Sequence, residues 1–93
     1  MQNITKEKLD KYFSIAEKAL EKAKASKEKI NIKNGRKEFI DMIENYLSDA
    51  RHFERKKDFV NAFAALNYAH GWLDAGARLG IFDVHDPGLF AQD

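Results

Sequence analysis

Three histidines, His52, His70 and His85, are the side chains of this sequence best suited to proton transfer or metal binding. A zinc site needs three or four converging nitrogen, sulfur or oxygen ligands. The sequence has no cysteine to contribute. His70 and Asp74 stand four apart and share a helical face, but two ligands fall short of a site. The segment Asp83-Val84-His85-Asp86 has a metal-like composition, which a turn opened by an aspartate explains equally well. Ser14, Ser26 and Ser48 lie in charged stretches with no histidine placed to activate them. Glu17 and Glu21 read as solvated surface. No catalytic residue, metal or cofactor is expected, and a non-enzymatic role is expected ahead of an enzymatic one.

Two weaker signals concern nucleic acid. Arg78 and His85, with six residues between them, resemble the loose Arg-to-His spacing of helical ribonuclease domains in prokaryotic toxin systems. In those domains the pair shares one helix, whereas here Gly80 interrupts and the apolar Leu79 follows the arginine. Lys18, Lys22, Lys24, Lys27, Lys29, Lys33, Arg36 and Lys37 could also line one basic end, and such a patch suffices for phosphate contact. Against this, acidic residues are interleaved through the same region and no aromatics alternate with the lysines for base stacking.

The elements that must position these residues are helices. From about Thr5 to Glu28, Leu9, Tyr12, Phe13, Ala16, Ala19, Leu20 and Ala23 recur at steps of three and four, the mark of one apolar helical face. Thr5 is a suitable N-cap, and Asn34-Gly35 marks the following turn. A second helix is expected from about Arg36 to Arg55, with Phe39, Ile40, Ile43, Tyr46, Leu47, Ala50 and Phe53 on its apolar face. Asp58 caps a third, from about Phe59 to Leu79, and so short a connection makes the second and third antiparallel. Gly80 closes the third helix. Ile81 to Asp93, with an Asp86-Pro87-Gly88 turn, is expected to fold back over it, its last few residues frayed. The fold class is all-α, a three-helix antiparallel bundle with a short C-terminal tail packed on the third helix.

The third helix differs from the others. One stripe, Phe59, Ala62, Phe63, Leu66, Ala69, Leu73 and Ala77, suits a core. A second, Ala65, Tyr68, Trp72, Ala75 and Leu79, faces another way. Only Asn67, Gly71, Asp74 and Arg78 leave a polar strip, with Gly71 a notch between Asn67 and Asp74. If the second stripe is uncovered, Tyr68 and Trp72 are the residue types that anchor interfaces.

Composition bounds these readings. Ninety-three residues make one domain, able to bury roughly 65% of its unfolded surface. No apolar run approaches the length of a bilayer span, so no membrane is expected among the partners. Met1 to Lys11 is too charged for a signal peptide, which points to the cytoplasm. The net charge of +1 conceals a basic front, with 15 Lys/Arg against 10 Asp/Glu over residues 1–57, and an acidic remainder whose one cation is Arg78.

The run from Asp58 to Gly80, with Tyr46-Leu47-Ser48-Asp49-Ala50 upstream, resembles the signature of an archaeal family of short helical proteins, domain-of-unknown-function family 357. The resemblance extends from about the first helix to Gly80 and implies a compact helical bundle without assigned activity. Some members are appended to cytidylyltransferase-like domains, which implies an accessory role; these 93 residues hold nothing of that kind. The expected function is a protein-protein interaction or self-association module using the third helix, with Tyr68, Trp72, Asn67, Gly71, Asp74 and Arg78 as candidate partner-binding residues. The alternative is a nucleic-acid-binding or RNA-processing domain using the basic end and Arg78 with His85.

Overall fold

A computed structural model describes residues 3–91 and shows three helices, α1 (Lys6–Ala25), α2 (Gly35–Arg55) and α3 (Phe59–Leu79), with no strand among the described residues. The caps follow from local chemistry. Thr5 accepts the amide of Lys8 at 3.1 Å, and Asp58 accepts that of Asn61 at 3.2 Å. Each satisfies an amide that the first helical turn leaves without a partner. Gly80 ends α3 in the left-handed region, φ 82°, where a side chain would be strained.

α1 stops at Ala25, three residues before the end its periodicity suggests. Two groups take up the carbonyls of its last turn. Ser26 Oγ donates to Ala23 O at 2.7 Å, and Arg36 Nη2, reaching from the start of α2, donates to Ala23 O and Lys24 O at 2.9 and 2.7 Å. Residues 27–30 are then released from the helix to meet the end of α3. Lys29 and Ile30 donate their amides to Gly80 O, and Asp83 donates to Lys27 O.

α3 packs along both other helices, while α1 and α2 meet only sparsely. Small side chains explain the close approach. Ala16, Ala19 and Ala23 of α1 and Ala62, Ala65 and Ala69 of α3 are all buried. Larger groups fill the core on either side of them. Leu9, Phe13 and Leu66 lie toward one end, and Ile43, Leu73, Ile81, Phe82 and Phe90 toward the other. Arg51 bridges α1 and α2, its guanidinium 3.7 Å over the Phe13 ring and 2.9 Å from both Glu17 and Glu54.

The tail folds back on α3 as its apolar pairs suggest. Ile81 and Phe82 donate their amides to Gly76 O, and Asp86 closes the Pro87-Gly88 turn by accepting from Gly88, with Phe90 then buried. The fraying expected of the last residues falls on positions outside the described ones.

Candidate functional site

The third helix turns its two apolar stripes to different fates. Ala62, Leu66, Ala69 and Leu73 are in the core, together with Ala65 from the second stripe. The rest of that second stripe is only partly covered. Tyr68 is 62% exposed and Leu79 54%, while Trp72 and Ala75 are half-buried. The tail leaves this side open: Phe82 lies over Gly76 and edge to face with Phe39, centroids 6.3 Å apart, and Phe90 is buried in the core.

α2 supplies the second wall. Phe39 meets Trp72 edge to face, centroids 4.9 Å apart and planes at 83°, and Tyr46 stacks on Tyr68 at 5.3 Å and 19°. These are favourable aromatic geometries and hold both anchors in fixed positions. Phe39, Asn67, Tyr68, Gly71, Trp72 and Ala75 thereby enclose an open groove of about 320 Å³, with nearly all of its lining apolar. Gly71 leaves room at its centre, since a Cβ built there would meet nothing within 4 Å.

Four of the six candidate residues, Asn67, Tyr68, Gly71 and Trp72, are thus brought together on one groove. Asp74 is not among them; its Oδ1 accepts the Ala91 amide at 2.9 Å and fastens the tail. Arg78 is exposed near the end of α3, a turn beyond the groove. Sequence reasoning missed Phe39 as a wall of the site and Tyr46 as the support stacked on Tyr68. Their spacing on α2 is that of ordinary core residues, and nothing local sets them apart.

The polar constellations resolve into structural contacts. His85 Nε2 lies 2.7 Å from Asp83 Oδ1, beyond the left-handed Gly80, so Arg78 and His85 do not share a helix. The His85 hydrogen bond, with Lys29 adding charge, holds the Asp83 carboxyl below its usual range. Asp86 is lowered likewise, by Lys22 at 2.9 Å and the Gly88 amide. Among the described residues no group of three or more His, Cys, Asp or Glu side chains is placed to hold a metal ion. Much of the basic run is engaged within the chain. Lys22, Lys24, Lys29 and Lys37 pair with Asp86, Glu44, Asp83 and Asp41, and Arg36 is bound to the carbonyls of α1.

Fold and groove together define an all-helical bundle with an apolar, aromatic-walled cleft along its central helix. The model of the family described as "Protein of unknown function (DUF357)" matches residues 11–82, and the chain belongs to that family. Neither a curated protein nor a solved structure matches it.

Proposed function

We propose that this protein is a non-enzymatic interaction module that self-associates through α3. The observation that carries this reading is Gly71. A glycine inside a helix costs roughly 0.5–1 kcal/mol relative to alanine. Gly76, one and a half turns on, has an internal reason for lacking a Cβ, because Phe82 occupies that space. Gly71 has none, since a Cβ there would meet nothing within 4 Å, and its bare backbone leaves room for a body approaching from outside.

The seam around it has the spacing of a helix-pairing surface. Ala64, Tyr68, Gly71, Ala75 and Arg78 recur at alternating steps of four and three, and all are exposed except the half-buried Ala75. The seam also complements itself. An antiparallel, two-fold arrangement that sets Gly71 opposite Ala75 of a second copy brings Tyr68 level with Arg78 of that copy. A tyrosine face and a guanidinium attract each other, and symmetry supplies the contact twice. Tyr68 is stacked on Tyr46, so little side-chain freedom is lost on docking.

The reading takes the protein as archaeal, on the strength of the family resemblance, and as cytoplasmic. The nucleic-acid alternative draws less support, since Lys22, Lys24, Lys29 and Lys37 of the basic end are each shared with a carboxylate.

Light scattering over a concentration series, on the wild type, Gly71→Leu and Tyr68→Asp, tests the proposal. A concentration-dependent dimer is expected for the wild type. Both variants should remain folded and monomeric, since neither position is buried. A wild type that stays monomeric throughout overturns self-association, and a Gly71→Leu dimer moves the interface away from α3.

A further inference from the structure

The up-down-up course of the helices gathers the end of α1, the start of α2 and the end of α3 at one pole of the bundle. The loop of residues 26–34 closes that pole and is held to it by the amides of Lys29 and Ile30 on Gly80 O and of Gly35 on Ile32 O. Ile30, Ile32 and Leu79 are 41, 52 and 54% exposed there, half of all the large hydrophobic side chains exposed among the described residues. Ile32 packs its near side against Gly35, yet about half of each isoleucine stays in contact with solvent, where asparagine or lysine would be solvated at lower cost.

The charge around these aliphatic tips is one-sided. Residues 26–37 hold Lys27, Lys29, Lys33, Arg36 and Lys37 against the single acid Glu28. Lys29 and Lys37 are shared with Asp83 and Asp41 at 3.6 and 2.7 Å, but Lys27 and Lys33 make no ion pair among the described residues. Lys33 directly follows Ile32, so cation and aliphatic tip are presented together.

We infer that this pole is a docking surface for an anionic lipid bilayer, with Ile30, Ile32 and Leu79 entering the interfacial layer and Lys27 and Lys33 against the headgroups. Two chemistries meet there that suit a charged membrane surface, apolar insertion and attraction of basic residues to anionic lipid. Nucleic acid would use the cations and leave the isoleucines in water, and it calls for aromatic stacking platforms. The exposed tyrosines are elsewhere: Tyr12 lies in the first half of α1, and Tyr68 in the α3 groove. Surface docking needs no spanning segment, and among the described residues no helix is long and apolar enough to cross a membrane. The inference stands apart from the α3 groove, so Gly71→Leu leaves it untouched.

The test is co-sedimentation of the full chain with vesicles of neutral lipid alone, and with vesicles containing about 30% anionic lipid, at low and high salt. Binding is expected only to the anionic vesicles and is expected to fall steeply as salt screens the lysines. Ile32→Asp and the double variant Lys27→Glu/Lys33→Glu should each weaken binding about tenfold or more while melting like the wild type. All three positions are at the surface, and the melting comparison verifies that the fold is kept. Absence of binding to anionic vesicles at low salt overturns the inference. So does binding that Ile32→Asp leaves intact, or single-stranded RNA that binds as tightly and is equally indifferent to the isoleucine.

Discussion

The ring of Phe82 lies where a side chain on Gly76 would have to be: a Cβ built there falls within contact of Cε2 and 2.5 Å from Cδ2. Phe82 is fully buried, and Gly76 is the small residue of α3 that admits it. The tail is therefore part of the core, keyed into the helix it follows.

Gly76→Ala should be destabilising despite the better helix propensity of alanine. Overpacking a filled core typically costs 1–3 kcal/mol, roughly, against a propensity gain of about 1 kcal/mol. A net loss of up to about 2 kcal/mol is expected in urea unfolding. Adding Phe82→Leu should cost less than it does in the wild type, because the two residues share one space.

Gly71→Ala should have the opposite sign. Its Cβ meets nothing within 4 Å, so the propensity term acts alone. A gain of about 0.5–1 kcal/mol, roughly 2–8 °C in Tm for a domain of this size, is expected in dilute solution where the chain is monomeric. A loss of stability there would mean that Gly71 has an internal role.

Arg36→Ala removes the donor for two carbonyls at the end of α1 and a cation 5.7 Å from the Phe82 ring. Bonds to charged groups are worth more than neutral ones, and a loss of about 2 kcal/mol is expected by chemical denaturation. Arg36→Lys should recover less than half, since an ammonium lacks the planar fork that reaches Ala23 and Lys24 together.

Acid should loosen the tail. Asp83 and Asp86 titrate below their ordinary 3.8 in the folded chain, Asp83 chiefly through His85 and Asp86 chiefly through Lys22. Unfolded, both return to that value and bind protons more readily. Their stabilisation is complete above the ordinary carboxylate range and is lost as pH falls through the lowered folded values. Asp83→Asn/Asp86→Asn should flatten the acid limb of a Tm-versus-pH curve and leave a smaller salt dependence at pH 6, both groups being accessible to solvent.

Much of the architecture was legible before any coordinates. Helix faces are periodic, so Leu9, Phe13, Ala16 and Ala19, or Leu66, Ala69 and Leu73, identify themselves by spacing. Thr5, Asp58 and Gly80 act within one turn of their own position, and their capping roles are readable for that reason. The candidate site was legible in part. Asn67, Tyr68, Gly71 and Trp72 lie on one helix and keep their neighbourhood, whereas Asp74 is drawn away by the amide of Ala91, seventeen positions on. Where α1 ends was not legible, because Arg36 decides it from another helix.

Short-range spacing is enough to set the helices, their caps, the antiparallel turn between α2 and α3 and the second apolar stripe on α3. Which side of that stripe stays open was decided by the tertiary structure alone. Phe82 and Phe90 could have covered Tyr68 and Trp72; Phe82 instead fills the space that Gly76 leaves beside Phe39, and Phe90 is buried in the same core. Gly71 and Gly76 are alike in sequence, both glycines inside one helix. Only packing across elements makes one a socket for the chain's own phenylalanine and leaves the other open to solvent.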